Sequence, residues 1–351
     1  VFFQRDGNFW ALSLEGAQLR QLTDIRRGNA PRDEKEPEGQ RKFLQDQAAE
    51  LFDFIRSGRY KEQPWNRESD DDSTRPKPFF PGENKSASGL QVTPDGRFVL
   101  MTVSEQPRDV KRITMPLWIT DDGYVGTYNG RTKVGDRQGT SRAAILEVAT
   151  GKVTFVADSV GEGNRSIAGV AVSPTSQHAL VRVETHDDEH RYWVAVDLPS
   201  LEQRVLTHDH DSAWTGFPGP SIPMQGGFLR DGTVWFGSER TGWAHLYTVA
   251  PAGGEPTAVT SGPWEVLDAS LSPDGETWYL TGNREGFQEV HFYTVPAKGG
   301  SVTRITDTMG RQDVAVSPDG KRRAIRHSQA DHPPELYVQE FRAGRPMTPV
   351  T

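Results

Sequence analysis

Cysteine is absent from all 351 residues, so neither a disulfide nor a thiolate metal site is available to this chain. A cysteine-free composition suits the cytosol and a bacterial extracytoplasmic compartment alike. No run of 18 or more apolar residues occurs, which excludes a membrane-spanning helix, and the first residues lack the charged-then-apolar pattern of a secretory leader. The chain begins at Val1 rather than Met, as a processed or trimmed polypeptide would. Hydrophobic residues make up only 34%, low for a folded domain, and part of the deficit sits in one charged segment near the N-terminus. Positive charge is also scarce: 40 Lys and Arg stand against 48 Asp and Glu, a formal net charge of −8 with the signs interspersed. Without a basic stripe to follow a phosphate backbone, nucleic acid is not an expected partner, and neither is a membrane.

Turn formers, in contrast, are abundant. The 35 Gly and 24 Pro separate short runs rich in Val, Leu, Thr, Phe and Trp, as expected of many short strands. The runs repeat. From Val266 the chain reads VLDASLS, a PDGE turn, TWYLTGN, a loop, HFYTVP, an AKGG turn and SVTRIT, which is four strands in about 45 residues and the size of one propeller blade. The turn between the first two strands recurs as TPDG (Thr93 to Gly96), SPTS (Ser173 to Ser176), LRDG (Leu229 to Gly232), SPDG (Ser272 to Gly275) and SPDG (Ser317 to Gly320). Pro presets φ there, and Asp with Gly accepts the positive φ that a tight turn needs. Blade ends recur as RQLTD, VTFVAD, RVLTHD, TAVTSG, TRITDT and TPVT.

The expected fold is therefore an all-β propeller of four-stranded blades. Five complete blades are expected near 86–158, 166–209, 213–262, 264–308 and 311–351, and a sixth, residues 1–24, lacks its first strand. A single blade exposes both faces, so burial must come from stacking one blade on the next. The truncated first blade implies seven or eight blades in the intact domain, or an irregular closure. Two segments interrupt the pattern. Residues 25–85 include an amphipathic helix near 43–58, with Leu44, Ala48, Leu51, Phe52 and Ile55 on one face and Gly58 at its end. Residues 105–142 split a blade after its FVLMTVS strand.

Three motifs carry a resemblance. The 105–142 insertion holds Asp122, Gly123, Tyr124 and Arg131 to Asp136; residues 208–249 hold HDHDSAWTG and FLRDGTVWFGSERTGWAHLYTV; and HPPELYVQ spans His332 to Gln339. In this order the motifs resemble bacterial dipeptidyl-peptidase-IV-like members of the prolyl oligopeptidase family of serine peptidases. The resemblance implies a propeller followed by an α/β-hydrolase domain, with peptide substrate held between them and a homodimer of the whole protein left open. It favours a periplasmic or secreted address over the cytoplasm. No Gly-x-Ser-x-Gly elbow, the turn that exposes such a hydrolase's nucleophile, occurs in these 351 residues. The chain thus reads as the N-terminal domain of a longer peptidase, without catalytic residues of its own. The family's adjacent Glu pair, which binds a free peptide amino terminus, is missing too, leaving dipeptidyl, acylaminoacyl and oligopeptidyl cleavage open for the parent.

Glu239, Arg240, His245 and Tyr247, at the junction of two strands of one blade, are candidate substrate-binding residues, with Arg112 and Arg131 of the 105–142 insertion beside them. A structural role competes with each: His245 can lock its hairpin, and Glu239 and Arg240 can pair across it. HDDEH (His186 to His190) and HDHD (His208 to Asp211) contain imidazole and carboxylate ligand types, but each reads as a solvated turn or surface, and no metal or cofactor is expected. Trp193, Trp214, Trp235, Trp243, Trp264 and Trp278 recur near blade strands and read as inter-blade packing. The alternative for the whole chain is a free-standing TolB or WD40-like propeller that binds a protein or peptide on one face, since a fold does not dictate its function.

Overall fold

The computed structural model describes residues 1–31, 40, 42–44, 47–48, 75–133, 135–215, 225–342 and 345–351. The chain divides into two units, Val1–Glu83 and Asn84–Thr351.

In the first unit, β1 (Phe2–Arg5), β2 (Asn8–Leu12) and β3 (Leu19–Gln21) form an antiparallel three-stranded sheet. β4 (Asp24–Ile25) and β5 (Pro78–Phe79) pair in parallel, bringing together the two ends of the segment between them. Lys42 to Leu44 and Gln47 to Ala48 are helical, with Phe43 and Leu44 exposed; Leu51, Phe52, Ile55 and Gly58 of the expected helix lie outside the described residues.

The second unit holds five four-stranded antiparallel sheets in chain order. The first contains β6 (Lys85–Val92) and β7 (Phe98–Glu105). An exposed hairpin follows, β8 (Thr114–Leu117) with β9 (Gly126–Asn129), before β10 (Thr140–Glu147) and β11 (Val153–Val156) complete that first sheet. The second is β12 (Arg165–Val172), β13 (His178–Thr185), β14 (His190–Asp197) and β15 (Gln203–His210). The third is β16 (Gly226–Phe228), β17 (Val234–Ser238), β18 (His245–Val249) and β19 (Thr257–Ala258). The fourth is β20 (Val266–Leu271), β21 (Thr277–Gly282), β22 (His291–Pro296) and β23 (Thr303–Arg304). The fifth is β24 (Arg311–Val316), β25 (Arg322–Gln329), β26 (His332–Glu340) and β27 (Thr348–Pro349). One parallel pairing, Ser141 with Ser166, links the start of β10 to β12 of the second sheet, and an isolated parallel bridge from Val290 to Arg311 links the fourth sheet to the fifth at the corresponding place.

Each of the five recurrent turns joins a sheet's first and second strands. Gly96, Gly232, Gly275 and Gly320 have φ of 73°, 87°, 73° and 68°, and Ser176 takes the same left-handed conformation at 59°. In three turns the leading hydroxyl donates to the Asp two residues on: Thr93 to Asp95 at 2.7 Å, Ser272 to Asp274 and Ser317 to Asp319 at 2.6 Å. The same carboxylates accept the amides of Arg97, Glu276 and Lys321. The recurrent Thr of the blade ends also has one job in three places. Buried Thr23, Thr260 and Thr306 accept the backbone amides of Phe9, Leu246 and Phe292 and so tie the outer strand's exit to the strand beside it.

Sheet faces are buried by the next sheet in sequence. Leu100 and Ile145 of the first pack with Ile167, Val181 and Val196 of the second. Leu180 and Trp193 of the second pack with Val234, Phe236 and Tyr247 of the third. Leu229 and Leu246 of the third pack with Trp264, Trp278 and Tyr293 of the fourth. Phe341 meets Tyr279 and Phe292 edge-on between the fifth and fourth, at ring separations of 5.6 and 6.1 Å. Four-stranded antiparallel sheets stacked in this way are the blades of a β-propeller.

Two expectations need correction. Trp193, Trp235, Trp264 and Trp278 pack between sheets, but Trp214 and Trp243 are 62% and 38% exposed because both sit in connections beyond the strand ends. Likewise, Ala213 to Thr215 do not open the third sheet: its first strand begins at Gly226, and they belong to a loop with a different part to play.

Candidate functional site

The loop after β15 and the turn between β17 and β18 face each other across a cleft of about 380 Å³, lined by Arg191, His208 to Asp211, Trp214, Thr215, Glu239 and Arg240. Its walls start with a hairpin. In the HDDEH segment, Asp187 accepts from the Thr185 hydroxyl and, at 3.1 Å, from the Glu189 amide, while Asp188 takes φ of 62°. These contacts hold the Asp187 carboxyl below the usual carboxylate range. The turn delivers His190 to the start of β14, opposite the end of β15.

Pairing between β14 and β15 sets His190 opposite His210, Arg191 opposite Asp209 and Tyr192 opposite His208. The register then shifts, with Trp193 opposite Thr207 but Val194 opposite Val205, so Leu206 is an extra residue on β15, a bulge that re-aims the strand end. Because side chains alternate between faces, the two sides of this strand pair differ in character. Arg191 and Asp209 share a side with Trp193 and Thr207, the side packed on the third sheet. His190, Tyr192, His208 and His210 share the other.

On the first side Arg240 is the organiser. Its Nη2 lies 2.8 Å from Asp209 Oδ1 and also donates to Thr207 Oγ1, its Nε donates to Ser238 Oγ at 2.9 Å, and Ser238 Oγ in turn donates to Asp209 Oδ1 at 2.9 Å. The guanidinium lies 5.2 Å from the ring centre of Phe236 and 4.9 Å from that of Tyr247, a cation–π seat. Asp209 Oδ2 is buried without a hydrogen-bond partner among the described residues. Arg191, 2% exposed at its side chain, donates to Glu184 at 2.9 Å and to the Thr215 carbonyl at 2.7 Å. The Thr215 hydroxyl bonds the Asp188 carbonyl at 3.0 Å, and Asp211 Oδ1 accepts the Ala213 and Trp214 amides. The loop is thereby pinned, with Trp214 turned outward on the cleft wall.

On the other side, the two His motifs that read as separate surface turns meet. His190 Nδ1 lies 2.9 Å from His208 Nε2, the His190 and His210 rings stack at 4.5 Å, and Tyr192 stacks on His208 at 4.2 Å with an interplanar angle of 6°. Burial, then His190 and His210 nearby, lower the pKa of His208.

Of the candidates read from sequence, Glu239 and Arg240 line the cleft. They do not pair with one another as expected, because Arg240 is drawn across the sheet interface to Asp209. Tyr247 forms part of the seat under Arg240. His245 is 1% exposed and spent on its own sheet, with Nδ1 3.0 Å from Thr260 Oγ1 and Nε2 2.9 Å from the Gly262 carbonyl oxygen. Arg112 and Arg131 are exposed at the open end of the β8–β9 hairpin, where the Ile113 amide donates to the Arg131 carbonyl, and neither lines the cleft. Arg191, Asp209, Asp211, Trp214 and Thr215 were missed as site residues. For all of these but Arg191 the signal was present in HDHDSAWTG, a motif noted for its resemblance but read as surface and packing.

Fold and site together define a blade-built β domain with a polar cleft at one sheet boundary. Residues 83–334 match the family described as the dipeptidyl peptidase IV (DPP IV) N-terminal region, and the chain belongs to that family, a peptidase-associated domain. Curated relatives agree. The Aspergillus fumigatus protein named "Probable dipeptidyl peptidase 4" is 26% identical over 233 residues, covering 62% of this chain and 30% of its own. Its Neosartorya fischeri namesake has the same identity and coverage. The crystal structure of Porphyromonas gingivalis dipeptidyl peptidase 4 matches with a TM-score of 0.61 at 18% identity, over 97% of this chain and 42% of that one. The chain thus spans about a third of the length of the curated relatives it matches.

Proposed function

We propose that this chain is the non-catalytic propeller domain of a serine peptidase of the prolyl oligopeptidase family, and that its cleft binds the amino-terminal side of the peptide. The observation that carries this reading is the cleft itself, in which the carboxylates of Glu239 and Asp211 and the exposed ring of Trp214 surround one space in a member of the DPP IV N-terminal-region family. A free amino terminus would find a carboxylate, and the first side chain an apolar wall. Arg240 and Arg191 are positioning residues: each is engaged with the scaffold and holds one side of the cleft. The propeller would perform no acyl transfer. It would restrict entry to short or unfolded peptides and orient them for a hydrolase domain carrying the Ser, His and Asp.

The test compares turnover of free-amine Gly-Pro and N-acyl-Ala chromogenic substrates by the longest natural form of this protein and by the 351-residue chain. Activity in the long form alone is expected. Glu239→Gln and Asp211→Asn there should raise KM for the free-amine substrate and leave the acylated one unchanged. An inactive long form would support a stand-alone binding propeller; equal effects on both substrates would remove the cleft from amino-terminal recognition.

A further inference from the structure

The imidazole cluster at the end of the same strand pair shares His208 and His210 with the lining of the cleft. We propose that Glu189, His190 and His210 form a binding site for a divalent transition metal of the zinc type.

A carboxylate oxygen of Glu189 and one ring nitrogen each of His190 and His210 all lie within 4.8 Å of one another. Ligands around a tetrahedral zinc ion, bound at about 2.0–2.1 Å, stand roughly 3.4 Å apart, so small side-chain rotations bring all three to a common centre. The backbone already fixes their approach. His190 and His210 are directly opposed in the β14–β15 ladder, and the Asp211 amide donates to the Glu189 carbonyl at 3.0 Å. Two imidazoles and one carboxylate form a borderline donor set that prefers zinc and its neighbours to calcium or magnesium, which need several oxygens.

His208 supplies what such a site needs behind its ligands. Its Nε2, 2.9 Å from His190 Nδ1, can accept the proton on that nitrogen and leave the other His190 nitrogen as the ligand, the usual support for a metal-bound imidazole. Tyr192 stacks on His208 and fixes that ring. Arg191 and Asp209 project to the opposite face, so the Arg240 ion pair is not disturbed by occupancy.

His208 and His210 also line the peptide cleft, but neither Glu239 nor Asp211 is a ligand and Zn²⁺ binding is read without substrate, so failure here and failure of the peptide reading are distinguishable. Chelator-treated chain would be titrated calorimetrically with Zn²⁺ and, separately, with Ca²⁺. One Zn²⁺ per chain is expected, with no comparable Ca²⁺ uptake. His210→Ala and Glu189→Gln should each weaken Zn²⁺ binding by at least about tenfold, and His208→Ala by about 10–100-fold, as loss of a supporting partner does. His332→Ala, at an exposed His beside Asp331, should change nothing. His210 is exposed, so its replacement leaves the core intact, and a thermal shift by Zn²⁺ in the unaltered chain but not in His210→Ala gives a second reading. Absence of stoichiometric Zn²⁺ uptake, or equal uptake by His210→Ala, overturns the proposal.

Discussion

Arg240 Nη2 lies 2.8 Å from Asp209 Oδ1, an ion pair that crosses from the third sheet to the end of the second and forms the floor of the cleft. Asp209 is 9% exposed at its side chain and Arg240 27%, so both partners are largely withdrawn from water. Their worth lies in what removal leaves behind, since an unpaired buried carboxylate costs more than the pair gains. Arg240→Ala is expected to destabilise the chain by about 2–3 kcal/mol, seen as a lower urea midpoint at unchanged slope. Arg240→Lys keeps the charge but loses the fork and the flat contact with Phe236 and Tyr247, and should fall between. A midpoint unchanged in both variants would show that the pair does not join the sheets.

Gly226 faces Trp193 at the same boundary. A Cβ at this position would stand 2.6 Å from two ring carbons of Trp193, which is fully buried and unable to retreat. Gly226→Ala should cost about 3 kcal/mol through overpacking. Gly123 in the exposed hairpin, φ 74° with open space around it, offers the contrast: Ala there should cost only the backbone strain, about 1 kcal/mol. Thermal denaturation of the two variants side by side decides the matter.

His245 holds its hairpin through Thr260 and Gly262 and packs edge-on against Trp264 at 5.4 Å. Its replacement by Ala should lower stability by about 2 kcal/mol without selectively altering any ligand interaction in the cleft. Burial depresses its pKa, against the opposing pull of the Gly262 carbonyl and Glu265. The unfolded chain therefore takes up this proton first as pH falls. The stabilisation is fully present above about pH 6.5 and is lost as pH drops through the folded value. Denaturant titrations at pH 7.5 and 5.5 should show a smaller pH effect in His245→Ala.

The blade turns add an acid-side dependence. The Ser272 and Ser317 hydroxyls, with the amides that follow, hold Asp274 and Asp319 below the usual carboxylate range. At Asp95 burial works the other way and is outweighed by hydrogen bonds from Thr93 and Arg97. Stability from these groups is present above about pH 4 and disappears as pH falls through their depressed folded values. Replacing Asp274 and Asp319 together with Ala should flatten the acid limb of the stability profile, measured by unfolding midpoints between pH 5 and 2.5.

Much of this was legible in the chain because it depends on neighbours a few residues apart. The turn motifs needed only a Ser or Thr, an Asp two positions on and a Gly or Ser that accepts positive φ, and the structure closes each with local hydrogen bonds. Short strands, blade size and the recurrent Thr followed from spacing, and the propeller class followed from the repeat. The family was legible from motifs spread along residues 122–339. Assigning Trp214 to packing went astray because its composition matches Trp193 while its surroundings do not, and only folding separates a tryptophan on a strand from one in a loop beyond it.

By itself, then, the sequence determined the blades, their turns and the stacking that buries them, because periodicity and turn chemistry act within one unit. The two clusters at the end of the second sheet were decided by tertiary structure. The bulge at Leu206 sets which residues of β15 oppose His190 and Arg191, and a one-residue slip would exchange the two faces. Arg240 abandons its sequence neighbour Glu239 for Asp209, 31 positions away, because packing the third sheet on the second brings that carboxylate, not the adjacent one, into reach.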